Sequence, residues 1–482
     1  MHQIVESAVS SGRSLQSPQS GFVHYCYHPG ESDHHDTIPI VENFLFALSL
    51  LRTKISARVQ EARDLIQKLL PFKVGGNFPI YLHEYPNCRD RYLSVQVLVP
   101  LYWMQKRFFL VLGNDLRHQL NEVAKELLQQ SMESHQEKEA PFQVAIKIAA
   151  SLKAFGALWQ QSDMEKQGDA FLEVLCKQSQ QEDFGTWYAP SYVGETLAAL
   201  QMVYQDLENS PWKHFWDYVK STWNDKAFAY AGPSVHERQW DLEPKTTLYD
   251  LFLGTYSGRY SYRVYEDQPI QLWGACVQTD REEVLSEGEK HLIGAVAGHR
   301  WMVRKRENYS LACLEKKAPI DPSMQKGFHV FKCLWGDENN THSLVAQGEG
   351  ATRVSFEEQD HSCSLVFDLA EDIDFTDRSK NREVALFCDL WEGTSLFVNG
   401  EKATTFQLGD HVELVSGTLK MRLNFELIEG QGKFFGHIMP ANRPAQLNTK
   451  GANRYESHDW SIHLRTVKRL GPCSIKVLID FI

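Results

Sequence analysis

Apolar side chains recur with a helical beat up to about residue 224 and with a beat of two from about residue 228 onward. Asp36 and Thr37 suit a helix cap, and Pro39 suits a first turn. Phe44, Leu48, Leu51, Ile55, Val59, Ala62, Ile66 and Leu69 then follow at intervals of three or four, which predicts one amphipathic helix ending before Pro71. Leu93, Val97, Leu101, Met104 and Phe108 make the next stripe, and Pro100 is expected to kink it or to begin it. Further stripes run through 116–127, 144–159, 171–175, 193–207 and 212–223. Their short connections favour antiparallel helical hairpins, about seven helices in all.

The later region alternates. Leu365, Phe367 and Leu369 share one face of a strand, as do Val384, Leu386, Cys388 and Leu390. Met421, Leu423 and Phe425 repeat the pattern, followed by Trp460, Ile462 and Leu464, and by Ile475, Val477 and Ile479. Asn399-Gly400 is a hairpin signal, since both positions tolerate positive φ. Turn-separated alternating strands predict an antiparallel β-sandwich. The stretch 282–297 carries a helix-compatible pattern inside an otherwise strand-like region.

These patterns divide 482 residues into a polar lead (1–36), a helical-hairpin domain (37–227), an interdomain or first β layer (228–330) and a β-sandwich domain (331–482). The lead is expected to be mobile or draped on the surface. A net charge of −12 argues against nucleic acid as the main ligand. The basic run Arg300, Arg304, Lys305 and Arg306 is expected to be a solvated strand edge or a salt-bridge cluster. Nine scattered cysteines without a CxxC pair suit free thiols in a reducing compartment. With no apolar leader at the N-terminus and no run long enough to span a bilayer, the expectation is a soluble cytoplasmic chain without a membrane partner.

Two segments between helical stretches carry candidate binding chemistry. The first, Gly75-Gly76-Asn77-Phe78-Pro79-Ile80-Tyr81-Leu82-His83-Glu84-Tyr85-Pro86, offers His83, Glu84 and Tyr85. The second, Glu182-Asp183-Phe184-Gly185-Thr186-Trp187-Tyr188-Ala189-Pro190-Ser191-Tyr192, offers Trp187, Tyr188 and Tyr192. Rings stack on the apolar faces of a pyranose while acids and amides take its hydroxyls, so an oligo- or polysaccharide is the expected partner. Plugging the ends of the helical array would use the same rings.

A polar cluster, His236, Glu237 and Arg238, falls at the switch from helical to strand-like sequence. His236 or Arg238 could neutralise a carboxylate there, and an interdomain salt-bridge cluster would employ the same residues. Tyr256, Arg259 and Tyr260 follow; Arg259 beside Tyr260 would ease loss of the phenolic proton, or Tyr and Arg simply cover a strand face. His24, Cys26 and His28 alternate like ligands but lack a fourth at a recognised spacing, so neither metal nor cofactor is expected. No P-loop, GxGxxG, GxSxG or HExxH pattern is present.

With these elements in this order, the chain resembles the α/α-toroid plus β-sandwich polysaccharide lyases, such as the heparinase II/III-like and alginate-lyase groups. The resemblance is one of domain order over most of the chain. It implies an α+β multidomain fold in which an incomplete, toroid-like α/α-hairpin domain precedes a large antiparallel β-sandwich. It also implies β-elimination from a uronic-acid glycan in a cleft between the two. That chemistry needs a group that neutralises the substrate carboxylate, together with a base and an acid at the sugar ring. His236, Arg238, Tyr256 and Tyr260 are then the catalytic candidates, and His83, Glu84, Tyr85, Trp187, Tyr188, Tyr192, Glu237 and Arg259 the substrate-binding ones. A non-catalytic glycan- or protein-binding scaffold of the same architecture is the alternative.

Overall fold

Helices with buried and half-exposed faces alternate along the first half of the computed structural model. The structure describes residues 2–26, 37–180, 190–224, 229–230, 232, 234–236, 269–277, 289–296, 299–316, 327–336, 341–348, 351–369, 383–389, 395–417, 419–440, 460–469 and 471–482. Its helices are α1 (His2–Leu15), α2 (Ile40–Arg52), α3 (Ser56–Leu69), α4 (Leu93–Leu112), α5 (Asn114–Glu137), α6 (Phe142–Trp159), α7 (Ser162–Gln180), α8 (Pro190–Val203) and α9 (Lys213–Thr222). Helices α2, α4 and α6 are buried over most of their surface, whereas α3 buries only Ala62, Leu65, Ile66 and Leu69. Helix α5 likewise buries a stripe through Leu116, Leu120, Val123 and Leu127. The order is therefore inner, outer, inner, outer. Helix α6 has the length and hydropathy of a membrane span, but 67% of it is buried inside the protein, which makes it a core helix.

Three sequence expectations are corrected here. The stripe from Phe44 to Leu69 is two helices, not one. Thr53 closes α2 by donating its hydroxyl to the Leu50 carbonyl at 2.7 Å, and Lys54 then turns the chain with φ of +58°. No Gly or Pro announces that turn. Pro100 lies well inside α4 and does not begin it; the non-helical dihedrals fall at Phe108 (φ −124°, ψ 15°). The lead was expected to be mobile or surface-draped, yet residues 2–15 form α1, which buries Ile4, Val5, Ala8 and Val9. Helix α1 packs on α2 and on a 3-10 segment, Pro269–Cys276, from the far side of the helical region.

The strands are β1 (Trp223–Asn224), β2 (Ala229–Tyr230), β3 (Ser234–His236), β4 (Lys290–Val296), β5 (His299–Lys305) and β6 (Tyr309–Leu314). Next come β7 (Gly327–Gly336), β8 (Thr341–Gln347), β9 (Arg353–Gln359), β10 (Ser362–Leu369), β11 (Glu383–Asp389) and β12 (Ser395–Val398). The last are β13 (Thr405–Phe406), β14 (His411–Ser416), β15 (Leu419–Glu429), β16 (Gly432–Pro440), β17 (Trp460–Arg469) and β18 (Cys473–Phe481). One sheet runs β12-β14-β15-β18-β10-β9, and a larger one runs β13-β16-β17-β11-β8-β7-β6-β5-β4 with β3 beside β7. Every pairing described is antiparallel.

Strand β4 replaces the helix-compatible reading of 282–297 where that stretch is described, since Lys290 to Val296 pair residue for residue with β5. The division at 330 falls inside β7, and β6 and β7 are hydrogen-bonded neighbours, so no sheet boundary separates the two β regions there. Asn399 and Gly400 form the expected turn, with φ of 51° and 85° and a two-way hydrogen bond between Val398 and Glu401. The basic run is a salt-bridge cluster: Arg304 pairs with Glu358, Arg300 with Glu315 and Arg306 with Glu289.

Among the described residues two apolar cores result. One unites the helices with Leu272, Trp273, Ala275, Cys276 and Val277 of the 3-10 region and with Leu314 of β6. The other takes Phe331, Leu386 and Ile462 from the large sheet and Leu365, Leu423 and Ile475 from the smaller one. The helical and strand regions meet where Tyr218 of α9 sets its ring edge-on to Trp301 of β5, centroids 5.6 Å apart.

Candidate functional site at the N-terminal ends of the inner helices

Gln96, Lys147 and Glu195 fix the direction of three inner helices. Gln96 is the fourth residue of α4, Lys147 the sixth of α6 and Glu195 the sixth of α8. Lys147 pairs with the Glu195 carboxylate, and Gln96 Nε2 donates to the same oxygen at 3.1 Å. Contact among three N-terminal halves requires α4, α6 and α8 to run parallel. Helix α2 joins them, because the Ile40 N–H donates to the Ile80 carbonyl and the Leu82 N–H to the Ile38 carbonyl. The same strand-like piece reaches α4 through Asn77, whose Oδ1 accepts from the Ser94 N–H at 2.9 Å.

Parallel inner helices place the outer-to-inner connections at one end of the array. The first aromatic segment is such a connection, 70–92 leading into α4; of the second, the described part begins at Pro190, the first residue of α8. The aligned helix dipoles give this end a positive potential that favours an anion. Around the ion pair, Gln96 Oε1, Gln143 Oε1 and Thr196 Oγ1 are buried with no hydrogen-bond partner among the described residues. Buried polar atoms of this kind are normally satisfied by solvent or by a ligand.

Within the first segment, Leu82–Glu84 form a single 3-10 turn. Tyr81 is buried and His83 stacks on it, with centroids 5.6 Å apart and planes 9° apart. Tyr85 is 47% exposed and meets Phe72 edge-on, so it offers an accessible ring. Glu84 is committed otherwise: its Oε2 accepts from the Tyr81 N–H at 3.3 Å, and its Oε1 faces Arg89 at 3.5 Å. It also holds the Cys88 thiol up, after the larger effect of burial.

In the second segment Trp187 and Tyr188 lie outside the described residues, and of Tyr192 only the backbone is described, in the first turn of α8. Tyr192 therefore starts from the same end of the array as His83 and Tyr85. His236 is described by its backbone alone. It pairs with Gly327 at the start of β7, while β6 covers β7 only from Phe331 onward. Strand β3 thus occupies the position beside β7 that β6 leaves after Leu314, the β6 residue that packs on the helical core. Glu237, Arg238, Tyr256, Arg259 and Tyr260 lie outside the described residues. No group of three metal-ligating side chains occurs among the described residues, and His24 Nε2 bonds the Ser20 hydroxyl at 2.9 Å.

The polar centre of Gln96, Gln143, Lys147 and Glu195 was not anticipated from sequence. A signal existed: Lys147 is the lone charge in the apolar stretch Val144-Ala145-Ile146-Lys147-Ile148-Ala149-Ala150, and a fully buried lysine needs a partner.

A chondroitin AC lyase of Streptomyces coelicolor A3, in complex with chondroitin sulphate, has a similar structure at a TM-score of 0.50 and 9% identity, over 99% of this chain and 79% of that one. Heparinase III aligns at 0.44 and 9% identity over 99% and 84% of the two chains. A heparan sulfate lyase mutant from Pedobacter heparinus aligns at 0.34 and 7% identity over 100% and 82%. No family model matches the sequence, and no curated protein matches it. At such identities the likeness is one of fold alone: an α+β protein with helices first and antiparallel sheets after them, the order found in polysaccharide lyases.

Proposed function

We propose that this chain is a carbohydrate-active protein of polysaccharide-lyase type that cleaves a uronic-acid glycan by β-elimination. In this reading the helices form an incomplete α/α toroid (37–227) and the two sheets a β-sandwich, with the glycan lying where they meet. The observation that carries it is the convergence of four parallel helix N-termini, a buried polar centre and the first aromatic connection at one end of the array. An acidic sugar is the ligand such an end attracts, because the aligned dipoles favour its carboxylate while the Gln96 and Gln143 carbonyl oxygens can accept from its hydroxyls. Tyr85, His83, Trp187, Tyr188 and Tyr192 supply stacking surfaces. His236 or Arg238 neutralises the uronate carboxylate, one of Tyr256 and Tyr260 removes the C5 proton, and the other gives a proton to the C4 oxygen as its bond to C4 breaks and the C4–C5 double bond forms, with Arg259 and Glu237 as neighbouring polar contacts.

A second reading, a glycan-binding scaffold without catalysis, is favoured by Glu84, the acid of the first connection, which is spent on Tyr81 and Arg89. Incubation with a panel of uronate polysaccharides separates the two. Elimination creates a conjugated double bond whose ultraviolet absorbance should rise, and Tyr260→Phe or His236→Ala should abolish the rise. Glycan binding without any rise leaves the scaffold. Absence of both removes the carbohydrate reading.

A further inference from the structure

The opposite end of the helical array carries a second feature of its own. Arg52, Thr53 and Lys54 at the end of α2 face Arg107 and Phe108 near the end of α4 across a cavity of about 610 Å³, which Val5 and Glu6 of α1 also line. Beyond the cavity the apolar residues turn outward: Leu110 is 80% exposed, and Ile55, Phe109 and Val111 are each close to half exposed. Lys106 and Arg107 precede Phe109, Leu110 and Val111 on α4, on the other side of the break in helical dihedrals at Phe108, so the cations lie close in sequence to the apolar tips. Lys54 stands next to Ile55 in the left-handed turn that projects both from the end of α2.

Part of this charge has a structural use. Arg52 Nη1 donates to the carbonyls of Gly274, Ala275 and Val277, Arg58 pairs with Glu6, and Arg107 lies over the Trp103 ring. No ion pair with a carboxylate is formed by Lys54, Lys106 or Arg107 among the described residues, in a chain whose net charge is −12. Exposed apolar tips close to cations match an anionic bilayer surface, where side chains such as Leu110 enter the acyl boundary and Lys or Arg stays at the phosphates.

We propose that this end of the molecule docks on an anionic phospholipid surface, through Ile55, Phe109, Leu110 and Val111, with Lys54, Lys106 and Arg107 on the headgroups. Seated this way, the protein holds its polar centre and the first aromatic connection away from the lipid.

The test is co-sedimentation of the full chain with phosphatidylcholine vesicles, with and without phosphatidylserine. Binding is expected only with phosphatidylserine and should weaken with salt. Leu110→Glu should abolish it, and Lys54→Gly should weaken it about fivefold. Lys54→Gly suits the left-handed backbone, so the variant should keep or raise the unfolding midpoint, which separates lost binding from lost fold. Failure to bind either vesicle overturns the proposal. Equal binding to neutral vesicles, undiminished in Lys54→Gly, also overturns it. So does a concentration-dependent dimer in size-exclusion chromatography that Leu110→Glu dissociates, because the apolar tips would then belong to a second copy.

Discussion

Lys147 of α6 and Glu195 of α8 form an ion pair in which the lysine is 1% exposed and the glutamate 19%. The pair is asymmetric. Glu195 keeps some contact with solvent and shares its bonding oxygen with Gln96, whereas Lys147 has left water altogether. Removing the acid strands a buried cation, while removing the lysine leaves a carboxylate that can still be hydrated.

Glu195→Gln should therefore destabilise the protein by about 3–5 kcal/mol, and Lys147→Met by less. The double variant should recover much of the loss. Urea midpoints of the four proteins in a double-mutant cycle give the coupling. Equal losses for the two single variants would contradict the asymmetry.

Helices α6 and α7 touch through glycines. A Cβ at Gly168 would stand 2.3 Å from the Lys153 nitrogen, and one at Gly156 would stand 2.5 Å from the Glu165 nitrogen. Propensity alone predicts that Gly168→Ala gains about 1 kcal/mol in a helix interior. Backbone crowding predicts a loss of about 1–3 kcal/mol, since neither helix can yield by moving a flexible side chain. The sign of the shift in thermal midpoint decides which effect rules.

Burial pushes up the thiols of Cys276, Cys313 and Cys333, and Cys363 pushes up both of the latter two further, its Sγ lying 3.3 Å from that of Cys313. These groups stay protonated when folded, whereas in the unfolded chain they ionise near pH 8.5. The unfolded state then holds fewer protons, so stability is flat below about pH 8.5 and falls above it, by up to about 1.4 kcal/mol per pH unit for each thiol. Urea midpoints from pH 7 to pH 10 should show this decline, and Cys276→Ala should reduce its slope. Maleimide at neutral pH should label Cys88 first, because that thiol is half-buried while the other eight are buried.

Arg52 ties the end of α2 to Gly274, Ala275 and Val277 at 3.2, 2.7 and 2.9 Å. Arg52→Ala leaves those carbonyls without their donor and should cost about 2–3 kcal/mol. Hydrogen exchange should accelerate at 269–277 and in α1, which packs on that segment. Unchanged exchange there would mean the tie is dispensable.

How far the sequence can be read depends on what each signal measures. Stripes such as Leu116, Leu120, Val123 and Leu127 survive because an outer helix has one wet face, and alternation in Met421, Leu423 and Phe425 survives for the same reason. The division between α2 and α3 was hidden because Ile55 keeps the apolar spacing going although it is half exposed, and the turn uses Thr53 and Lys54 in place of Gly. Helix α1 was hidden by its serines, although Ile4, Val5, Ala8 and Val9 share a face. Within the candidate site, the aromatic connections stood out by composition. Glu195 and Gln96 did not, because polar residues on a helix look solvated until the neighbouring helices are placed.

The partner that α1 needs lies some 260 residues downstream, in Pro269–Cys276. During synthesis the first helix leaves the ribosome long before Gly274 exists to meet Ile4. The helical half thus stays unfinished until the chain has passed its own boundary and begun the strands. Truncation between residues 223 and 268 should yield a product that exposes apolar surface and aggregates, even though it contains α1 to α9.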